Sequence, residues 1–159
     1  MNIMVRSANS LKIEFGVTRY FGNIDIGAQG LVRGWAQPEA AHVWNDGHVA
    51  ELAVGLTPKD IGLVRRVTFE GLPFVSERHT HQDVTLFANG LFAGFWRLPQ
   101  SAEPVSLEAL LPPHYWLPGP DESKIVFSFL TPDAVSPAEL GAAADNRRLA
   151  FSLHSILIR

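Results

Sequence analysis

The chain predicts an all-β fold, an antiparallel two-sheet β-sandwich with jelly-roll-like connections. Three observations carry that expectation. Apolar and polar residues alternate over short runs, as where Val84, Leu86 and Ala88 face one way and Asp83, Thr85 and Phe87 the other. Turn chemistry separates the runs, most clearly at Asn45-Asp46-Gly47 and Asn89-Gly90. No long segment sustains a helical period, so packed sheets are the way to bury the apolar faces. The 159 residues fit a single domain, and 47% apolar with 18% charged residues is a globular composition that can fill one core.

The elements follow in order. Residues 1–10 read as an arm. Leu11, Ile13 and Phe15 alternate with Lys12 and Glu14 as a half-buried strand, and Gly22 to Gly30 is loop-like. Leu31-Val32 lead into Trp35, and Gln37-Pro38-Glu39 is a turn or the start of a short helical turn with proline in front. Ala41 to Trp44 form a short strand, with a hairpin expected at Asn45-Asp46-Gly47. Ala50, Leu52, Val54 and Leu56 then share one face until Thr57-Pro58 ends the strand. Leu63 to Glu70 is the next strand, broken by Gly71-Leu72-Pro73, and residues 74–81 are a loop. Residues 82–88 and 91–97 form a hairpin about Asn89-Gly90, followed by a strand at Val105, Leu107 and Ala109.

Pro112-Pro113, Pro118 and Pro120 stiffen a long connection around Tyr115 and Trp116. Ile125, Phe127 and Phe129 alternate again. Ser136-Pro137-Ala138-Glu139 has the pattern of a capping box with proline at the first helical position, which gives one short helical turn near 137–140 that Gly141 ends. Leu149, Phe151 and Leu153 begin the last strand. Ile156 and Ile158 continue it on the opposite parity, which implies a bulge near Ser155. An up-and-down barrel is the competing closure of the same strands.

Charge and composition narrow the function. The net charge is −3, and no Lys/Arg run exceeds the pairs Arg65-Arg66 and Arg147-Arg148, which argues against nucleic-acid binding. The absence of cysteine excludes disulfides and thiolate chemistry. The N-terminal stretch lacks the continuous apolar core of a secretory signal, and no segment approaches the roughly 18 apolar residues of a membrane span, so a cytoplasmic chain is expected. There is no G-x-S-x-G, P-loop or dinucleotide fingerprint.

Several short motifs together resemble one family. They are Gly34-Trp35-x2-Pro38-Glu39, Trp44-x-Asp46-Gly47, an alternating Ala50-x-Leu52-x-Val54, the run from Gln82 to Gly90, and Ser136 to Gly141 with Asp145-x-Arg147. The pattern is similar to the β-sandwich domain found alone or appended to bacterial glycosyltransferases and other polysaccharide-assembly proteins. It covers about residues 30 to 158. The resemblance implies a carbohydrate context and a binding or accessory role, with a glycan or a glycan-assembly protein as partner. It transfers no catalytic residue, and no cofactor is expected.

The residues themselves offer a binding surface. Trp35, Trp44 and Trp116 are candidates to stack on a sugar ring, with Glu39, Asp46 and Asn89 bonding its hydroxyls. Trp35 and Trp116 are the two expected to be exposed, from their loop contexts; the competing reading is that tryptophans fill the core. His79 and His81, with Asp83 nearby, have the spacing of a metal pair but no selected third ligand, so solvated histidines and no metal are expected. Glu39 with Asp46, or Glu77 with Asp83, could pair as acid and base in a small sugar-active enzyme, but the sequence does not fix their separation. Asp145 with Arg147 or Arg148 reads first as an ion pair pinning a loop. The alternative to a glycan-binding module is an adaptor that forms a homodimer or holds a partner protein through a sheet face or edge, with Phe87 and Phe92 as contact area.

Overall fold

The structure, a computed structural model, describes residues 9–159; the expected arm therefore lies outside the described residues except for its last two positions. The strands are β1 (Leu11–Ile13), β2 (Arg19–Tyr20), β3 (Leu31–Arg33), β4 (Val43–Trp44), β5 (Val49–Leu56), β6 (Arg66–Pro73), β7 (His81–Ala88), β8 (Leu91–Pro99), β9 (Val105–Leu110), β10 (Ser123–Leu130) and β11 (Phe151–Ile158). The first sheet runs β1-β5-β10-β7-β8, with β3 also on β5. The second runs β2-β11-β6-β9, with β4 also on β11. The chain crosses between sheets after every strand from β1 to β10 except β7. The orders β5-β10-β7-β8 and β4-β11-β6-β9 therefore interleave as a jelly roll. No helix among the described residues is long and apolar enough to cross a membrane.

Alternation decides which face of each strand is buried. Leu52 and Val54 on β5, Ile125, Phe127 and Phe129 on β10, and Phe69 on β6 meet Phe151 and Leu153 on β11, all fully buried. Phe69 packs edge-on against Phe127 at 5.2 Å and Phe129 at 5.1 Å. Each such aromatic pair adds about 1 kcal/mol beyond the burial itself.

The hairpin at Asn89-Gly90 forms as expected. Both residues take positive φ, 47° and 78°, the geometry a two-residue primed turn needs. The bulge in β11 falls between Leu153 and Ser155. Residues 137–140 make one turn closed by both capping-box bonds, Ser136 N–H to Glu139 Oε2 at 3.2 Å and Glu139 N–H to Ser136 Oγ at 3.1 Å.

Other local expectations are corrected. Asn45-Asp46-Gly47 closes no hairpin; it carries the chain from β4 in the second sheet to β5 in the first. Pro58–Leu63 form a 3-10 turn, so β6 begins at Arg66, and Gly71 lies within the strand because Phe151 and Leu107 occupy the space beside it. The pairing is also not wholly antiparallel, since β1 runs parallel to β5.

Candidate functional site

β4 pairs with β11 through Trp44↔Ser152 and Val43↔Leu153. Val43 is fully buried, so the pleat turns its neighbours His42 and Trp44 outward. Two apart on β11, Ser152 and His154 share that outward face, with Ser152 Oγ 2.9 Å from His154 Nε2. The rings of His42 and His154 stack at 5.2 Å and 21°. Trp44 meets His42 and Phe74 in edge-to-face contacts of 6.1 and 6.2 Å.

Glu39 joins this group from the turn before β4. Its own N–H donates to His42 O at 2.9 Å, and Asn23 N–H donates to Glu39 O at 2.8 Å. One Glu39 carboxylate oxygen lies 3.0 Å from His42 Nε2 and the other 3.9 Å from Arg147 Nη1. Arg147 is held from the opposite side by a two-pronged pair with Asp145, whose shortest leg is 2.6 Å. The arginine holds the Asp145 carboxyl below its usual range, and Asp145 raises the Arg147 guanidinium in return. The expected loop-pinning ion pair is thus Asp145–Arg147. Arg148 turns away to Glu139 at 2.9 Å.

Burial, then the neighbouring His42, hold the His154 imidazole below its ordinary value, against the opposing pull of Glu70. A histidine depressed in the folded state takes up its proton more readily when unfolded. Its contribution to stability is therefore full above the unfolded value of 6.5 and lost as pH falls toward the folded one. Glu139 and Asp145 carry the same sign, but from unfolded values of 4.5 and 3.8. Thermal melts should show two acid limbs, one beginning near pH 6.5 and one below about pH 4.5. His154→Gln, which still bonds Ser152, should flatten the upper limb only; an unchanged upper limb removes His154 as its source.

The structure brings Glu39 and Trp44 together and disperses the other expected site residues. Trp116 is only 5% exposed, because the proline-stiffened connection lays it against the core. Trp35 is half-buried. Its Nε1–H donates to Glu51 O at 2.8 Å, and its ring meets Phe129 and Phe151 edge-on at 5.9 and 6.3 Å. Neither tryptophan is the exposed platform expected from its loop context. Asn89 is committed to the fold: Nδ2 donates to Tyr115 O and Lys124 O, and Oδ1 accepts from Val126 N–H. Asp46 caps Arg148 N–H at 3.0 Å. His42, Arg147 and His154 were missing from the expected site. Only His42 carried a signal, sharing its outward parity with Trp44.

The metal-ligand geometry shifts from the His79/His81 pair to His81, Asp83 and Asp133, whose ligand atoms lie within 4.8 Å of one another. Arg97 already grips both Asp83 oxygens at 2.8 and 2.7 Å and supplies the positive charge there.

No family model matches the chain, and no curated protein matches it. Among solved structures, the chain is similar to the C-terminal domain of EclA, a sugar-binding protein. That match has 17% identity and a TM-score of 0.44 over 72% of this chain and 71% of that one. A family 35 carbohydrate-binding module from an environmental isolate matches with 10% identity and a TM-score of 0.43 over 91% and 87%. An exo-β-1,3-galactanase from Phanerochaete chrysosporium matches with 15% identity and a TM-score of 0.43, where 91% of this chain spans 26% of the enzyme.

Proposed function

We propose that this chain is a non-catalytic carbohydrate-binding module serving bacterial polysaccharide assembly, with Glu39, His42, Trp44 and Arg147 as its sugar-contacting surface. The observation that supports the reading is the Glu39 carboxylate. It is 46% exposed, it bridges an imidazole and a guanidinium, and that imidazole, of His42, meets the Trp44 indole edge-on. A sugar presents hydroxyls that donate to a carboxylate and accept from a guanidinium, and C–H groups that pack on aromatic surface.

Calorimetric titration with a panel of bacterial oligosaccharides tests the reading. One glycan should bind saturably, and Trp44→Ala or Glu39→Gln should weaken it about tenfold while circular dichroism stays unchanged. Wild-type affinity in both variants moves the site elsewhere. A folded protein that binds no glycan in the panel sinks the module reading.

A second reading rests on the first sheet. Leu91, Phe92 and Phe95 on its terminal strand β8 are 44%, 57% and 53% exposed, and Phe87 meets Phe92 edge-on. An apolar patch on a terminal strand suits self-association or a partner protein. Light scattering should then show a dimer that Phe95→Asp disperses; a strict monomer at all concentrations counts against self-association.

A further inference from the structure

A cleft of about 770 Å³ opens on the first sheet, on the other sheet from Trp44. That volume is in the range that takes small ligands. Its floor is the ends of β1 and β5. Its wall is the segment 117–124, folded back on itself by paired backbone bonds of 2.8 Å between Leu117 and Lys124.

The cleft holds an unusual carboxylate. Glu122 lies over Gly55, so close that a Cβ there would come within 2.7 Å of Glu122 Cδ. The bare glycine backbone is what lets the carboxylate rest on the floor. The side chain is only 23% exposed, and its near charge partner is Lys124 Nζ, 3.5 Å away and itself 57% exposed. A carboxylate offers about four acceptor sites, and one that is largely hidden needs donors to offset its lost hydration. Glu122 lines the cleft, and one contact with Lys124 leaves its carboxylate with acceptor capacity to spare.

The rest of the lining selects the ligand. Glu14, Asp121 and Glu122 disfavour an anion, and Lys12 and Lys124 offset most of their charge, which leaves only a weak field to draw a cation. A neutral polyol satisfies both signs, donating to the carboxylates and accepting from the ammonium groups. We propose that this cleft is a second binding site, taking a neutral sugar of one or two rings whose adjacent hydroxyls donate to Glu122. The site stands on its own residues and holds whether or not the Trp44 surface binds glycan.

Nitrogen-15 NMR titration with maltose, cellobiose and lactose tests it. At least one sugar at up to about 50 mM should move the amides of Gly55, Gly119, Glu122 and Lys124. Glu122→Gln should weaken that response about tenfold. Gly55→Ala, which pushes the carboxylate off the floor, should weaken it as well. Glu103→Gln, outside the cleft, should leave it unchanged. Each variant's spectrum reports its own fold. The proposal is overturned if none of the three sugars moves cleft amides, or if folded Glu122→Gln responds as wild type does. Shifts confined to the surroundings of Trp44 would overturn the cleft and support the surface reading. Shifts confined to the cleft would support it, and the Trp44 surface is then judged by the bacterial oligosaccharides above.

Discussion

Gly34→Ala is expected to destabilise the protein by about 4 kcal/mol, lowering the melting temperature by roughly 10 °C. Two costs combine. Gly34 has φ +76°, where an L side chain costs about 1–2 kcal/mol. Its Cβ would also lie 2.8 Å from Ala50 Cα and 2.9 Å from the Val49 carbonyl carbon, against the backbone of β5. Backbone in a paired strand has no rotamer to yield, so the strand must shift. Gly90→Ala separates the two costs. Gly90 has nearly the same φ, +78°, and nothing within 4 Å of its Cβ position. It should cost only the conformational part, about 1 kcal/mol. Equal melts for the two variants would show that the approach of Gly34 to β5 is not tight. The contact matters to the site as well. Gly34 O accepts from Asp46 N–H at 2.8 Å, so the glycine ties the first sheet to the segment that follows Trp44.

The reason Gly34 must be glycine lies in β5, and nothing in the neighbouring residues announces it. The same division runs through the molecule. Features set by adjacent residues were legible: the Asn89-Gly90 turn, the capping box at Ser136 and Glu139, and the bulge announced by the parity change from Leu153 to Ile156. Features set by which sheet a strand joins were not. Asn45-Asp46-Gly47 has hairpin chemistry, yet β5 finds its partners in the other sheet. Trp35 and Trp116 sit in loop sequence, yet loops pass over the core, and a large aromatic gains more by turning into it. Glu39 and Trp44 were legible as residue types suited to a sugar. The stack of His42 on His154 and the reach of Arg147 to Glu39 were not, because those residues come from opposite ends of the chain.

A buried amide reinforces the β4–β11 pairing and the Asp46 cap that bring those ends together, and removing it gives the other large effect. Asn45 is fully buried between Trp44 and Asp46. Its Oδ1 accepts from Ala150 N–H at 2.7 Å and Phe151 N–H at 2.9 Å, and its Nδ2 donates to Gly47 O at 2.9 Å. Ala150 and Phe151 are fully buried too, so no water replaces the lost acceptor. Asn45→Ala leaves two donors unpaired, at about 1–3 kcal/mol each, and should cost about 3 kcal/mol or more. The melting temperature should fall by roughly 8 °C, and hydrogen exchange at the Ala150 and Phe151 amides should accelerate. Asn45→Asp sets the mechanism. It keeps an acceptor for both amides but turns an oxygen toward Gly47 O, so it should lose stability while those two amides stay protected. An Asn45→Ala protein that melts within about 2 °C of wild type would mean that the backbone closes the gap unaided. The Trp44 surface would then be held by strand pairing alone. If the melt falls as expected and glycan binding weakens with it, the amide that joins β4 to β11 also holds the geometry on which Glu39, His42 and Arg147 depend.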